Sequence, residues 1–136
     1  MTRDNYFARY YQINKEILVR RAADRYTTPE GRARTLYNSA KRRAAKMGLE
    51  FNLTYERILS GIIIGKCERS GIDFNLTALD TWRNPFAPSV DRKDNSGGYT
   101  NENIQIVSNL YNTGKGQHTD DEFIKFCHMV AERNPL

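Results

Sequence analysis

Between Ser89 and Lys115 the chain reads SVDRKDNSGGYTNENIQIVSNLYNTGK, and the residues best suited to chemistry lie here. Asp91 and Asn112 are hard oxygen donors. Val90 to about Lys93 has the pattern of a short strand, and Asp94-Asn95-Ser96-Gly97-Gly98 is a dense turn signal. Ile104 and Ile106-Val107 suggest a second strand. Ser108 can cap a helix carrying Leu110, Tyr111, Asn112 and Lys115. A strand–loop–strand–helix unit of this kind can bring Asp91 and Asn112 together on one divalent cation, which keeps waters and takes substrate phosphate oxygens. Asp and Asn are equally common as turn and cap residues, so spacing alone also allows a purely structural role.

The combination Val90-Asp91-Arg92-x-Asp94, Gly98-Tyr99, Asn103 and Asn112-x-x-Lys115 resembles the HNH (ββα-metal) nuclease motif. It resembles the variant in which Arg follows the first Asp where most members carry His. The resemblance extends upstream to Cys67-x-x-Ser70-Gly71-Ile72-x-Phe74 and to the basic helix Arg32–Met47. Downstream it takes in Asp121, Glu122, Phe123 and Cys127, and in all it covers about residues 28–130. It implies Asp91 and Asn112 as ligands of Mg2+ (or Mn2+), and Asn103 as the residue bracing the loop. Arg92 would hold the scissile phosphate, because an arginine stays protonated and cannot replace a histidine base. Lys115, one turn beyond Asn112, would contact a phosphate; its bland alternative is a solvated lysine at a helix end.

In some relatives of this variant a Tyr two residues after the upstream Cys activates the nucleophile, but that position here is Arg69. The remaining proton acceptors near the finger are His118, Glu68, Asp94, Tyr99 and Tyr111. Loss of a proton from the cation's water to bulk solvent is the other route. His118 has the most suitable intrinsic pKa. Relatives often carry structural zinc on paired cysteines, whereas the matching positions here are Cys67, Ser70, Ser108 and Tyr111. No structural zinc is therefore expected. Val90, Tyr99, Ile104, Ile106, Leu110 and Phe74 are expected to hold the finger as an apolar core.

The elements that must carry this site follow from pattern and charge. Thr28-Pro29-Glu30 opens a helix, Gly48 closes it, and Ala33, Leu36, Tyr37, Ala40, Ala44 and Met47 make one apolar stripe. Arg32, Arg34, Lys41, Arg42, Arg43 and Lys46 fill much of the rest, a surface suited to a phosphate backbone. Before it, a helix over about Asn14–Asp24 has only Ile13, Ile17 and Leu18 as a thin stripe, among Arg20, Arg21 and several tyrosines. Gly61-Ile62-Ile63-Ile64-Gly65 is expected in the core. A Thr119-x-x-Glu122 capping box opens a last helix whose apolar side is Phe123, Ile124, Phe126, Cys127 and Val130.

The chain has 136 residues, 39% hydrophobic and 27% charged, with a net charge of +5. Residues 1–50 hold 12 Lys and Arg against 5 Asp and Glu, and residues 51–136 hold 9 against 11. A basic arm on a near-neutral body points to a polyanion. The apolar runs fall short of the roughly 20 residues of a membrane span, and the polar start does not read as a signal peptide. Two isolated cysteines argue against a disulfide scaffold and for a reducing compartment.

The expected fold class is α+β: a ββα-metal finger over about 89–116 flanked by helices. The expected domains are a basic helical arm, 1–50, and a nuclease domain, 51–136, with a closing helix at 120–132. The expected function is metal-dependent hydrolysis of DNA phosphodiesters, resembling a free-standing phage homing endonuclease in the host cytoplasm. The alternative is a catalytically decayed HNH-fold DNA-binding or regulatory protein. The expected partner is double-stranded DNA and not a membrane; the thin N-terminal stripe leaves a homodimer open.

Overall fold

A computed structural model describes residues 2–77 and 84–136 of the chain. Helix α1 (Arg3–Thr27) is longer than the expected 14–24. Thr2 caps it, no Gly or Pro interrupts it, and Pro29 ends its reach. None of its residues is buried. Helix α2 (Pro29–Met47) follows at once. The Thr28 hydroxyl accepts from Gly31 N (3.1 Å) and donates to Asp24 O (2.7 Å), tying the two helices. Gly31 is required at this corner, because a Cβ there would lie 1.9 Å from Asp24 O. Gly48 closes α2 in the left-handed conformation, with φ 65°.

Strand β1 (Phe51–Asn52) leads to α3 (Tyr55–Ile64), capped by Thr54. Strand β2 (Pro88–Arg92) pairs antiparallel with β4 (Ile104–Ser108), in a register that sets Val90 against Ile106 and Asp91 against Gln105. Between them β3 (Tyr99–Thr100) pairs in parallel with β1. Gly98 permits that approach, since a Cβ there would come within 2.4 Å of Glu50 O. Helix α4 (Asn109–Lys115) lies on the hairpin, and α5 (Asp120–Arg133) closes the chain.

One core joins these elements. Ala33, Ala40 and Ala44 of α2 pack with Ile58 and Ile62 of α3 and with Val90, Ile104 and Ile106 of the hairpin. Small side chains on α2 let the α3 backbone come close, so α2 is part of the body that carries the finger. The opposite face of the hairpin is covered by α4, which is why β4 is buried at every position and does not alternate.

Several apolar expectations are corrected. In the isoleucine run Ile62 is buried, but Ile63 and Ile64 are exposed, because α3 turns only one face inward. Met47 and Leu110 are also exposed; Leu110 lies on the outer side of α4, whose inner side meets the sheet. Helix α5 docks through its first turns, where Phe123 meets the Tyr111 ring edge-on at 5.2 Å. Phe126, Cys127 and Val130 face outward. Among the described residues, no helix is long and apolar enough to cross a membrane.

Candidate active site

The site is built on the hairpin face under α4. Strand residues alternate sides, so Ser89 and Asp91 of β2 share that face with Gln105 and Val107 of β4. Asp91 is 5% exposed. Its Oδ2 accepts from Lys115 Nζ at 2.7 Å and from Gln105 Nε2 at 2.8 Å, and no described residue bonds Oδ1. Ser108 caps α4 by accepting from Tyr111 N, which sets the helix phase and turns Asn112 and Lys115 onto the sheet.

Asn112 Nδ2 donates to Ser89 Oγ (2.7 Å) and to Val90 O (3.3 Å). A backbone carbonyl can only accept, so the amide orientation is fixed and the acceptor Oδ1 points away from β2. No described residue bonds that oxygen either. Asp91 and Asn112 are thus held on facing elements, each with one oxygen uncommitted. Carboxylate and amide oxygens are the donors that a hard dication prefers, so the pair fits Mg2+ or Mn2+. Among the described residues no group of three or more His, Cys, Asp or Glu is placed to hold a metal ion. At the positions compared with zinc-binding cysteines, Ser70 N donates to Cys67 Sγ, and Ser108 serves as the cap of α4.

Asn103 braces the loop through three bonds. Its Oδ1 accepts from Asp94 N (3.0 Å), and its Nδ2 donates to Asp94 O (3.0 Å) and Gly98 O (2.9 Å). Arg92 faces away from Asp91. Its Nη1 donates to Asn95 O and Gly97 O, both at 2.8 Å, and the guanidinium lies 5.2 Å from the centre of the Tyr99 ring. One edge of the expected phosphate clamp is therefore spent on the loop itself.

Lys115 departs furthest from expectation. It is 0% exposed, and its Nζ reaches Asp91 Oδ2, Arg92 O (2.8 Å) and Asp120 Oδ1 (3.8 Å). It does share a helix face with Asn112, but that face is the inner one. A phosphate cannot reach it in this arrangement.

Two members of the site were not anticipated. Gln105 is almost fully buried. It donates to both Asp91 and Asp120 and accepts from Arg69 Nε at 2.6 Å. Asp120, the first residue of α5, collects Gln105, the Tyr111 hydroxyl and Arg69 Nη2 (3.1 Å). Burial pushes the Asp120 carboxyl up, but the bonds from Tyr111 and Gln105 and the charges of Lys115 and Arg69 outweigh it and leave it below the usual carboxylate range. A polar residue between Ile104 and Ile106, opposite Asp91 in an antiparallel pair, was the available signal for Gln105. Asp120 carried only the signal of a helix first turn.

The proton acceptors near the finger are mostly committed. Burial, with donation to Asp120, pushes the Tyr111 hydroxyl far above its ordinary pKa, so it stays protonated. Hydrogen bonds from Ser96 hold Asp94 below the carboxylate range. Glu68 accepts from Arg57 Nη2 (2.7 Å) and from Ile106 N. Tyr99 is buried under Arg92. His118 is exposed on the α4–α5 turn and faces Glu122 at 3.5 Å, over a cavity lined by Gly114, Phe123 and Phe126. The described contacts do not bring it to Asp91 or Asn112.

Of the basic residues, Arg20, Arg21, Arg34, Lys41, Arg42, Arg43 and Lys46 are exposed along α1 and α2. Arg21, Arg25, Arg34 and Arg42 line a groove of about 740 Å³ between the two helices. Arg34 also stacks on Tyr55 at 4.1 Å. Arg32 is different: its guanidinium donates to Pro88 O (3.0 and 3.3 Å) and burial pushes its pKa down. It anchors α2 to β2 and is not a free phosphate contact.

No family model matches the chain, and no curated protein matches it. Among solved structures the fold is similar to that of the rare-cutting HNH restriction endonuclease PacI, with a TM-score of 0.55 and 17% identity over 74% of this chain and 78% of that chain. The α+β arrangement of helices around small sheets is thus one found in an HNH endonuclease.

Proposed function

We propose that the chain is a divalent-metal-dependent HNH endonuclease that hydrolyses DNA phosphodiester bonds. The observation that supports this reading is that Asp91 on β2 and Asn112 on α4 stand on facing elements, each held by one side-chain atom and each with an oxygen that no described residue bonds. The likeness of the fold to an HNH restriction endonuclease supports it. Asp91 and Asn112 would hold Mg2+ or Mn2+. When bound, the cation supplies Lewis-acid polarisation of a phosphate oxygen and lowers the pKa of a water.

The chain's own residues do the positioning. Asn103 fixes the loop after Asp91, and Lys115 and Gln105 fix the carboxylate. Arg92 locks the loop carbonyls with Nη1, and its other N–H groups, which have no acceptor among the described residues, are those left for a phosphate. The exposed face of α2 with the groove against α1 supplies sequence-independent affinity for the backbone. The finer reading of a phage free-standing homing endonuclease rests on the resemblance of the sequence motif.

Plasmid cleavage with Mg2+ or Mn2+ tests the proposal. Asp91→Ala and Asn112→Ala should each abolish cutting while DNA retention persists in a shift assay. Intact cutting by both variants would refute the ligand assignment. A second reading, an HNH-fold DNA-binding protein without turnover, is favoured by one observation: Arg69, at the position of the substitute base, is locked into Gln105 and Asp120. It predicts DNA retention with no cleavage by the wild type under any divalent ion.

A further inference from the structure

Lys115 poses a physical problem that the nuclease reading leaves unsolved. A fully buried ammonium is costly unless its partners are well placed, and here the main partner is the carboxylate that should attract a metal. The charges around it alternate: Arg69 beside Asp120, Asp120 near Lys115, Lys115 against Asp91. Two carboxylates and two cations sum to zero, and Asn112 adds none. Gln105 bridges the two carboxylates without changing that balance.

We infer that Lys115 is an internal counter-ion of Asp91 that keeps the cation site electrically neutral, so that the dication and the phosphodiester load together. The inference rests on the assignment of Asp91 and Asn112 as ligands. With Asp91 already neutralised, a dication reaching its Oδ1 meets the field of Lys115 as well as the carboxylate. The protein alone then holds the metal weakly. A DNA phosphate brings the missing negative charge, so each ligand strengthens the other's binding by the same factor. Lys115 is in this sense a positioning residue: it orients Asp91 through Oδ2, sets the charge that a metal sees, and touches no substrate. Asp120 works against it from the other side by offsetting part of the lysine's charge.

The test is Mn2+ binding, read as free Mn2+ by electron paramagnetic resonance, with fluorescence anisotropy of a short duplex in parallel. Wild type should bind Mn2+ weakly alone, and Mn2+ should tighten duplex binding by about tenfold. Lys115→Gln should bind Mn2+ without DNA about tenfold more tightly than wild type, and its gain on adding duplex should shrink. Asp120→Asn should move Mn2+ affinity the opposite way, and it decides the question if circular dichroism shows Lys115→Gln to be unfolded. Unchanged or weaker Mn2+ affinity in a folded Lys115→Gln overturns the inference, as does an unchanged Asp120→Asn when that variant decides. The ligand assignment stands in either case if Asn112→Ala loses Mn2+. If Asn112→Ala keeps full Mn2+ affinity, or wild type binds none with or without duplex, the ligand assignment fails and the inference with it.

Discussion

Lys115 Nζ lies 2.7 Å from Asp91 Oδ2, with the lysine fully buried and the aspartate nearly so. The pair joins α4 to β2 and therefore fixes the same two elements that carry Asn112 and Asp91. Removing one partner of a buried pair strands the other charge, at about 3–5 kcal/mol. Lys115→Met should lose that much stability in urea unfolding. The double variant Asp91→Asn, Lys115→Met should lose clearly less than the sum of the single changes. Strict additivity would mean that the pair does not hold the elements together.

Asn103 makes three bonds to the loop, two of them to Asp94. Asn103→Ala leaves those backbone groups to water and should lower stability by about 1–3 kcal/mol. Amide exchange should locate the damage: the Asp94 N–H loses protection while Ile106 in β4 keeps its own. Cleavage should fall at least as far as in a loop-shortened control. Unaltered protection at Asp94 would show that the Asn103 side chain does not hold the loop.

The finger was readable because its signals are local. A turn cluster, a short strand pattern around Val90, a β-branched run of Ile104, Ile106 and Val107 and a serine cap lie within one short stretch, and strand, loop, strand and helix follow them directly. The loop role of Asn103 came from the resemblance of the motif, since the local pattern alone reads it as a turn residue before a strand. What escaped depends on which way a face points. Asn112-x-x-Lys115 spacing says that both residues share a face, but only the packing of α4 on the hairpin says that this face is inward. Arg32 looked like its basic neighbours until Pro88 O came within reach from far along the chain. Strand β3 exists only through its pairing with β1, a contact between distant residues with two positions on each side. Asp120 joined the site through the turn between α4 and α5, which no periodicity encodes.

Asp120 gives the pH dependence a sign. Its folded-state carboxyl titrates below the unfolded value, so the unfolded chain binds the proton more readily. The stabilisation is fully present above the unfolded pKa of about 4 and is lost as pH falls through the lower folded value. Wild-type stability should therefore drop on the acid side of pH 4, and Asp120→Asn should flatten that limb while lowering the neutral plateau. Urea midpoints across the acid range check this. An acid limb of unchanged slope in Asp120→Asn would assign the acid sensitivity to other carboxylates.

DNA affinity should separate the basic residues that structure has already sorted. Arg43 and Lys46 are exposed on α2, whereas Arg32 is spent on Pro88. Arg43→Ala and Lys46→Ala should each weaken binding for all sequences alike and reduce the slope of log K against log salt by about 1, with no change in unfolding midpoint. Arg32→Ala should do the reverse. It should lose about 1–3 kcal/mol of stability with its charged hydrogen bonds, and once corrected for folded fraction its salt slope should match wild type. Anisotropy titrations at several salt concentrations, set beside urea unfolding, read both quantities. If Arg32→Ala lowers the salt slope as Arg43→Ala does, then α2 must release β2 when it meets DNA, and the anchor seen here belongs to the free protein alone.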